Sequence, residues 1–186
     1  MKYAYAIRAM KGQIQCGDAI YVREDPGRML FAVIDGLGHG AGAHASSVKA
    51  VETLAASSAT DAPVVLLDRC HEALRGMRGA AAAILSISGQ TGAFAGIGNI
   101  EVTSKSKNKL NLLSYPGIVG RKIRKSREFE FTVSPGDILA LFSDGITKRL
   151  SLDCVDGPDT LQARADQLLE LYGRDHDDAS LLLIYA

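Results

Sequence analysis

Acidic residues stand next to predicted strands at separate points of this chain. Asp35 and Asp144 each follow a continuous apolar run, and Asp177 stands shortly before another. Apolar runs of this kind, bounded by glycine or polar residues, predict buried strands. Two unit charges about 4 Å apart repel by about 4 kcal/mol at an effective dielectric constant near 20. If these carboxylates meet, they therefore favour a divalent cation, and hard oxygen ligands favour Mg²⁺ or Mn²⁺.

The elements that must hold these carboxylates follow from the apolar pattern and the turn residues. Strands are predicted at 2–10, 19–23, 29–35, 80–88, 93–98, 100–105, 109–114, 121–133, 138–143 and 180–185, and helices at 41–58, 63–75 and 159–172. Tight turns between successive strands imply antiparallel pairing. We therefore expect an α+β fold, a four-layer αββα sandwich in which two antiparallel β-sheets are flanked by helices.

Composition narrows the class of protein. A chain of 186 residues with 47% hydrophobic residues predicts one folded domain with a substantial core. The formal net charge is zero, so a general attraction to nucleic acid or membrane is not indicated. The three cysteines have unrelated spacings, which favours a reducing compartment. Neither a signal peptide nor an apolar stretch of membrane-spanning length is visible, so we expect a cytoplasmic protein.

The basic residues are unevenly distributed along the chain. Between residues 105 and 127 there is no Asp or Glu, and this basic segment is either a set of solvated hairpin faces or a docking surface for an acidic or phosphorylated partner. Its eight basic residues are Lys105, Lys107, Lys109, Arg121, Lys122, Arg124, Lys125 and Arg127.

Four short motifs, taken in order, resemble those of the metal-dependent serine/threonine phosphatases of type 2C (PPM), and in particular the bacterial SpoIIE-like branch. The motifs are Gly17-Asp18, Asp35-Gly36-Leu37-Gly38-His39-Gly40, Ser143-Asp144-Gly145 and Asp177-Asp178-Ala179-Ser180. The family fold, a β-sandwich flanked by helix pairs, agrees with the predicted order of elements. The chain length and the stretch 96–100 are similar to those of the stand-alone phosphatases of the stressosome, so residues 1–186 are expected to form a single phosphatase catalytic domain.

The resemblance implies a centre with two Mn²⁺ or Mg²⁺ ions. Asp35 would bridge the ions, and the carbonyl oxygen of Gly36 would be a further ligand. Asp144 and Asp177 would hold one ion, while Asp18 would bind the other ion or orient its water. Two ions roughly 3.5–4 Å apart would acidify a shared water that attacks phosphorus directly, so that no Ser, Cys or His nucleophile is required.

Two positions depart from the pattern of the animal type 2C enzymes. Gln13 stands where those enzymes carry a phosphate-binding arginine, so phosphate affinity must come from the metal ions or from another basic group. The turn after Asp35 is longer, which places His39 two residues further on, and His39 is a candidate general acid for the leaving serine oxygen. We expect Asp178 to hydrogen-bond backbone groups rather than bind an ion.

The resemblance also implies a substrate, namely phosphoserine or phosphothreonine on STAS-domain stressosome proteins of RsbR and RsbS type, and we expect a monomeric enzyme. The same chemistry on a phosphorylated anti-sigma factor antagonist is an alternative, and so is a non-catalytic phosphatase-like binding module. A dinucleotide site at residues 38–43 is disfavoured, because Asp35 lies where a pyrophosphate would approach and the predicted topology is antiparallel rather than βαβ.

Overall fold

The computed structural model describes residues 1–107, 110–123 and 125–186. Its helices are α1 (Ala41–Ala55), α2 (Pro63–Ala73) and α3 (Leu161–Tyr172), and a 3₁₀ turn (Pro158–Thr160) precedes α3. None of the helices in this described part has both the length and the apolar character needed to cross a bilayer. The strands are β1 (Lys2–Arg8), β2 (Asp18–Asp25), β3 (Arg28–Gly36), β4 (Ala80–Ser88), β5 (Thr91–Ile97), β6 (Glu101–Lys105), β7 (Gly117–Ile118), β8 (Lys122–Ile123), β9 (Phe129–Thr132), β10 (Ile138–Phe142) and β11 (Ala179–Tyr185).

The strands form two main sheets. One sheet has the order β1-β11-β10-β6, the other has the order β2-β3-β4-β5-β9, and β7 pairs with β8 in a separate hairpin. Every pairing between these strands in the described residues is antiparallel. This confirms the predicted antiparallel sheets. A dinucleotide site of the βαβ type, which needs parallel strands, does not fit this topology.

Strand β3 shows why an apolar run is needed at the centre of the fold. Successive side chains of a strand point to opposite faces. Phe31 packs between the two sheets in a cluster that includes Leu182 of β11. Ile34 lies on the other face, in a cluster with Leu54 of α1 and Leu66 of α2. Both faces of β3 are therefore buried, and alternation between polar and apolar residues is replaced by a continuous apolar run.

Helix α3 covers the outer face of the four-stranded sheet. Ala165 and Leu168 of this helix pack with Ala140 of β10 and Leu183 of β11. The layer order is therefore α1 with α2, the five-stranded sheet, the four-stranded sheet, and α3. This confirms the predicted four-layer αββα sandwich.

Two of the predicted strands are wrong, and both lie in the basic segment or next to it. Residues 110–114 form no strand, and the remaining residue of that prediction, Lys109, lies outside the described residues. The predicted strand 121–133 is instead the short strands β8 and β9, with residues 125–128 irregular and Arg124 outside the described residues. Among the described residues of the basic segment, isolated bridges of Tyr115 and Val119 join it to the five-stranded sheet. These residues form no long ladder of backbone hydrogen bonds, because they lie beside the sheet rather than within it.

Gly36 provides a test of how tightly β3 packs on α1. A Cβ built on Gly36 would lie 2.1 Å from the carbonyl oxygen of Ala43. Because both groups belong to packed backbone, we expect Gly36→Ala to lower the free energy of unfolding by about 1–3 kcal/mol, the usual cost of overpacking. Urea unfolding followed by circular dichroism measures this value.

Gly157→Ala is the matched control, because a Cβ there would meet nothing within 4 Å and its φ of 176° is extended backbone. We expect this control to change the free energy of unfolding by no more than about 0.5 kcal/mol. Equal effects of the two substitutions would contradict the packing argument.

Candidate metal centre

Strand pairing brings the acidic positions to one end of the sandwich. In the five-stranded sheet, Asp18 at the start of β2 stands directly opposite Asp35 near the end of β3. In the four-stranded sheet, the backbone N–H of Ser143 donates to the carbonyl oxygen of Ser180 at 3.1 Å, just beyond the pairing of β10 with β11. Asp144 follows directly at that end, and the loop that carries Asp177 leads into β11 there.

A hydrogen bond between buried side chains joins the two sheets at this end. The Ser180 hydroxyl donates to Oδ2 of Asp18 at 2.7 Å. Asp18 is 4% exposed, and its Oδ1 is buried without a hydrogen-bond partner among the described residues. A buried carboxylate oxygen without a partner is costly, so this atom marks a place for a ligand with positive charge.

The carboxylates at this end raise one another's pKa. Burial, followed by the charges of Asp18, Asp144, Asp177 and Asp178, raises the pKa of Asp35 to about 9. Burial also raises the pKa of Asp18 to about 7, although the hydroxyls of Ser143 and Ser180 act in the opposite direction. The pKa of Asp177 is raised by burial and by the charge of Asp144. These shifts show that the sequence-predicted ligands Asp18, Asp35, Asp144 and Asp177 lie close enough to interact.

Asp178 forms hydrogen bonds with the loops around these carboxylates. Its Oδ1 accepts a hydrogen bond from the backbone N–H of Met10 at 2.8 Å, and its Oδ2 accepts one from the N–H of Gly17 at 2.9 Å. A Cβ on Gly17 would lie 2.7 Å from Oδ2 of Asp178, and a Cβ on Gly145 would lie 1.8 Å from its carbonyl oxygen. Asp178 thus hydrogen-bonds backbone groups, as expected, and holds the residue before Asp18 in place.

Asp144 and Asp177 are each oriented by one further hydrogen bond. Nδ2 of Asn99 donates to Oδ2 of Asp144 at 2.6 Å. The backbone N–H of Asp178 donates to Oδ1 of Asp177 at 3.0 Å. No role of Asn99 was predicted from the sequence. Its place in the stretch 96–100, which carried part of the resemblance, was the only signal pointing to it.

The turn after Asp35 is glycine-rich because its backbone needs positive φ values, 85° at Gly38 and 69° at Gly40. His39 is exposed on this turn, and its imidazole makes no hydrogen bond with the described residues. Its role as a general acid therefore stays a prediction. The carboxamide oxygen of Gln13 lies 2.9 Å from the position of a Cβ on Gly40, so Gln13 does reach this turn.

The residues present fit a divalent metal by their chemistry. Among the described residues, no three Asp, Glu, His or Cys side chains are already close enough together to hold an ion. However, Asp18 has a buried oxygen without a partner, and the pKa values of Asp18 and Asp35 are raised by burial and by neighbouring negative charge. A cation would relieve both conditions, and a set of oxygen donors alone suits Mg²⁺ or Mn²⁺.

Comparison with known proteins gives consistent results. The family model described as Stage II sporulation protein E (SpoIIE) matches residues 25–186. Phosphoserine phosphatase RsbX of Bacillus subtilis (strain 168) is 29% identical to this chain over 140 residues, which cover 73% of this chain and 70% of RsbX.

Two solved structures share the fold over nearly the full chain. One, described as "The bacterial stressosome: a modular system that has been adapted to control secondary messenger signaling", is 31% identical, with a TM-score of 0.84 over 98% of this chain and 97% of the other. The second is RsbX in complex with magnesium, which is 23% identical, with a TM-score of 0.81 over 97% of this chain and 92% of the other. At that identity the second likeness concerns the fold.

The raised pKa of Asp35 predicts how stability depends on pH without metal. A carboxyl whose pKa rises from 3.8 to about 9 contributes stability that is fully present below the lower value and is lost as pH rises towards the higher one. In EDTA we therefore expect the Tm to fall as pH rises from about 5 to about 8. Asp35→Asn, which cannot ionise, should remove the part of that slope that belongs to Asp35, and Asp18, with its pKa raised to about 7, should retain the rest below about pH 7.

Added Mn²⁺ should act in the opposite direction, because an ion binds the ionised carboxylates and releases their protons. Its stabilising effect on Tm should therefore grow as pH rises. Asp159→Asn is the control, because the Asp159 side chain is 89% exposed. A slope that persists unchanged in Asp35→Asn would contradict the assignment.

Proposed function

Since the chain belongs to the SpoIIE family of type 2C serine/threonine phosphatases, we propose that it hydrolyses phosphoserine or phosphothreonine on STAS-domain stressosome proteins of RsbR and RsbS type. The observation that carries the proposal is the convergence of Asp18, Asp35, Asp144 and Asp177 at one end of the sandwich. The likenesses to RsbX and to a stressosome structure support the substrate class. We further propose that residues 1–186 act as one catalytic domain, as a monomer, in the cytoplasm.

The proposed cofactors are two Mn²⁺ or Mg²⁺ ions. Asp35 would contribute to both ion sites, and the carbonyl oxygen of Gly36 would be a further ligand. Asp144 and Asp177 would hold one ion, and Asp18 would bind the other ion or orient its water. When bound, such ions acidify water and offset the charge of phosphoryl oxygens, which is the chemistry that phosphate-monoester hydrolysis needs.

The other residues of the site would keep the carboxylates in position. The hydrogen bond from Ser180 holds one oxygen of Asp18, and Asn99 holds one oxygen of Asp144. Asp178 fixes the backbone that leads into β2. These contacts restrict the carboxylates to a few orientations before substrate arrives, which lowers the entropy lost on reaching the transition state. His39, exposed on the turn after β3, would protonate the leaving serine oxygen.

The β7–β8 hairpin is the proposed docking surface for the phosphoprotein. It lies beside the acidic end, because Val119 pairs with Ala80, the residue of β4 that pairs with Gly36. A cavity of about 700 Å³ opens there, and its apolar lining is flanked by the exposed residues Lys122 and Lys125. Positive charge next to an apolar cavity suits an acidic, phosphorylated protein.

Turnover by the full-length chain tests the proposed function. We expect the protein to release phosphate from an aryl phosphate and from a phosphoserine STAS protein with Mn²⁺, and to lose both activities in EDTA. Asp35→Asn should abolish turnover, because the amide retains the volume of the side chain but removes the charge that joins the ions. Malachite-green detection measures the phosphate released from both substrates.

Asp175→Asn is the matched control, because the Asp175 side chain is 74% exposed, and it should retain activity. Near-normal activity of Asp35→Asn would refute the dinuclear assignment. No turnover with either metal would favour the non-catalytic binding module. Faster hydrolysis of a phosphorylated anti-sigma factor antagonist than of the STAS protein would favour that alternative substrate.

Charge reversal tests the docking surface. We expect Lys122→Glu combined with Lys125→Glu to lower kcat/KM for the phosphorylated STAS protein by about tenfold, as removal of complementary interface charge does, while sparing an aryl phosphate. Arg124 also belongs to the basic segment, but it lies outside the described residues. Lys2→Glu combined with Lys49→Glu is the control, with the same change in net charge elsewhere on the surface. Equal loss on both substrates would contradict docking.

A further inference from the structure

Arg78 lies across the turn that leads from Asp35 into α1. Its Nη1 donates a hydrogen bond to the carbonyl oxygen of His39 at 3.2 Å. A Cβ on Gly42 would lie 2.5 Å from Nε and 2.7 Å from Cζ of Arg78, and a Cβ on Gly38 would lie 3.4 Å from Nη1. The guanidinium group therefore rests on bare backbone at Gly42, where any other residue would displace it.

The backbone around Arg78 is fixed to the same turn. The N–H of Leu37 donates to the carbonyl oxygen of Gly79 at 2.9 Å. The next residue, Ala80, pairs with Gly36 in the β3–β4 ladder. Arg78 is thus held through the neighbouring Gly79 and through its own side chain, and only Gly79 separates it from β4, the strand that pairs with β3. A group held in this way loses little conformational freedom when it binds a ligand.

No carboxylate neutralises the charge of Arg78 in the described part of the chain. Arg23, Arg69 and Arg75, in contrast, each form an ion pair with a nearby acidic residue. Arg78 is exposed, and a guanidinium carries five N–H donors in a planar fork. Only one hydrogen bond, the one to His39, engages this fork within the described residues. The geometry of the fork matches two oxygens of a phosphate group.

We propose that Arg78 binds the phosphoryl group of the substrate at the edge of the metal centre. This inference rests on the proposed phosphatase function. A phosphate dianion that approaches Asp35 and its neighbouring carboxylates needs positive charge beyond that of the metal ions. Arg78, whose side chain contacts the turn after Asp35, supplies this charge. Gln13 reaches the same turn beside Gly40, but its carboxamide is neutral. The same guanidinium would also bind inorganic phosphate, the product of the reaction.

The test compares phosphate affinity with metal affinity in the full-length chain. We expect Arg78→Ala to raise the dissociation constant of inorganic phosphate from the Mn²⁺-loaded protein by about 10- to 100-fold, the range for loss of charge-assisted hydrogen bonds. Arg78→Lys should show a smaller rise, because an ammonium keeps the charge but not the fork. Mn²⁺ affinity, measured by titration calorimetry, should stay unchanged. Arg75→Ala, an exposed arginine just after α2, is the control and should leave both values unchanged.

Gly42→Ala is a second variant that keeps the arginine but moves it. The added Cβ would displace the flexible end of Arg78, and alanine favours a helix over glycine, so the fold should be retained. We expect weaker phosphate binding here also. Unchanged phosphate affinity in both Arg78→Ala and Gly42→Ala would overturn the proposal. Weakened Mn²⁺ binding with unchanged phosphate affinity would show that Arg78 only fastens the turn.

Titration of inorganic phosphate into the Mn²⁺-loaded protein keeps this test separate from that of the proposed function, since it needs no turnover. A wild-type protein that hydrolyses no substrate would refute the phosphatase proposal. If that protein still bound phosphate through Arg78, the binding site itself would stand. A wild-type protein that is active, with phosphate affinity equal to that of Arg78→Ala, would refute only the role of Arg78.

Discussion

The structure depends on holding two carboxylates, those of Asp18 and Asp35, directly opposite each other in a buried part of a sheet. Like charges at such a position destabilise a strand pair, and burial adds the cost of removing the charges from water. The raised pKa values of both residues express that cost. A chain that merely needed to fold would gain from apolar residues here. A cation between the two carboxylates would offset this cost, and the surrounding structure restricts the movement of the pair.

Two features of the fold keep the carboxylates still. The first is burial of β3 on both faces, between the second sheet and α1 with α2, which leaves the strand no freedom to shift. The second is a set of hydrogen bonds that cross from one sheet to the other at the acidic end. Ser180 of β11 contacts Asp18 of β2, and Asp178 contacts the N–H of Gly17. The sheets are thus joined where the charge is concentrated, so the Asp18 carboxylate is positioned by both sheets.

The zero net charge of the chain conceals a separation of charge on its surface. The acidic end of the sandwich is bordered by the β7–β8 hairpin, with Lys122 and the nearby Lys125, and by Arg78, which precedes β4 and hydrogen-bonds the turn after β3. A phosphoprotein that approaches this end would meet positive charge before it reaches the carboxylates and their ions. Complementary charge of this kind raises association rates and selects among partners, whereas the chemistry depends on the centre. In the proposed function, recognition and catalysis would therefore belong to different elements of the chain.

The antiparallel sandwich and the positions of the acidic residues beside its strands could be predicted from the sequence alone. Apolar runs buried on both faces and the turn residues between them specify β3, β10 and β11, and each carboxylate is only a few residues from its strand. The prediction failed at residues 110–114 and over much of 121–128, because a segment beside a sheet carries β-favouring residues without forming a long ladder. The contacts of Asn99 and Arg78 could be recognised only in the folded chain. Their contacts, with Asp144 and with the turn at His39, join residues about 40 positions apart. Local periodicity carries no information about such contacts, since they depend on how the packed layers bring distant loops together.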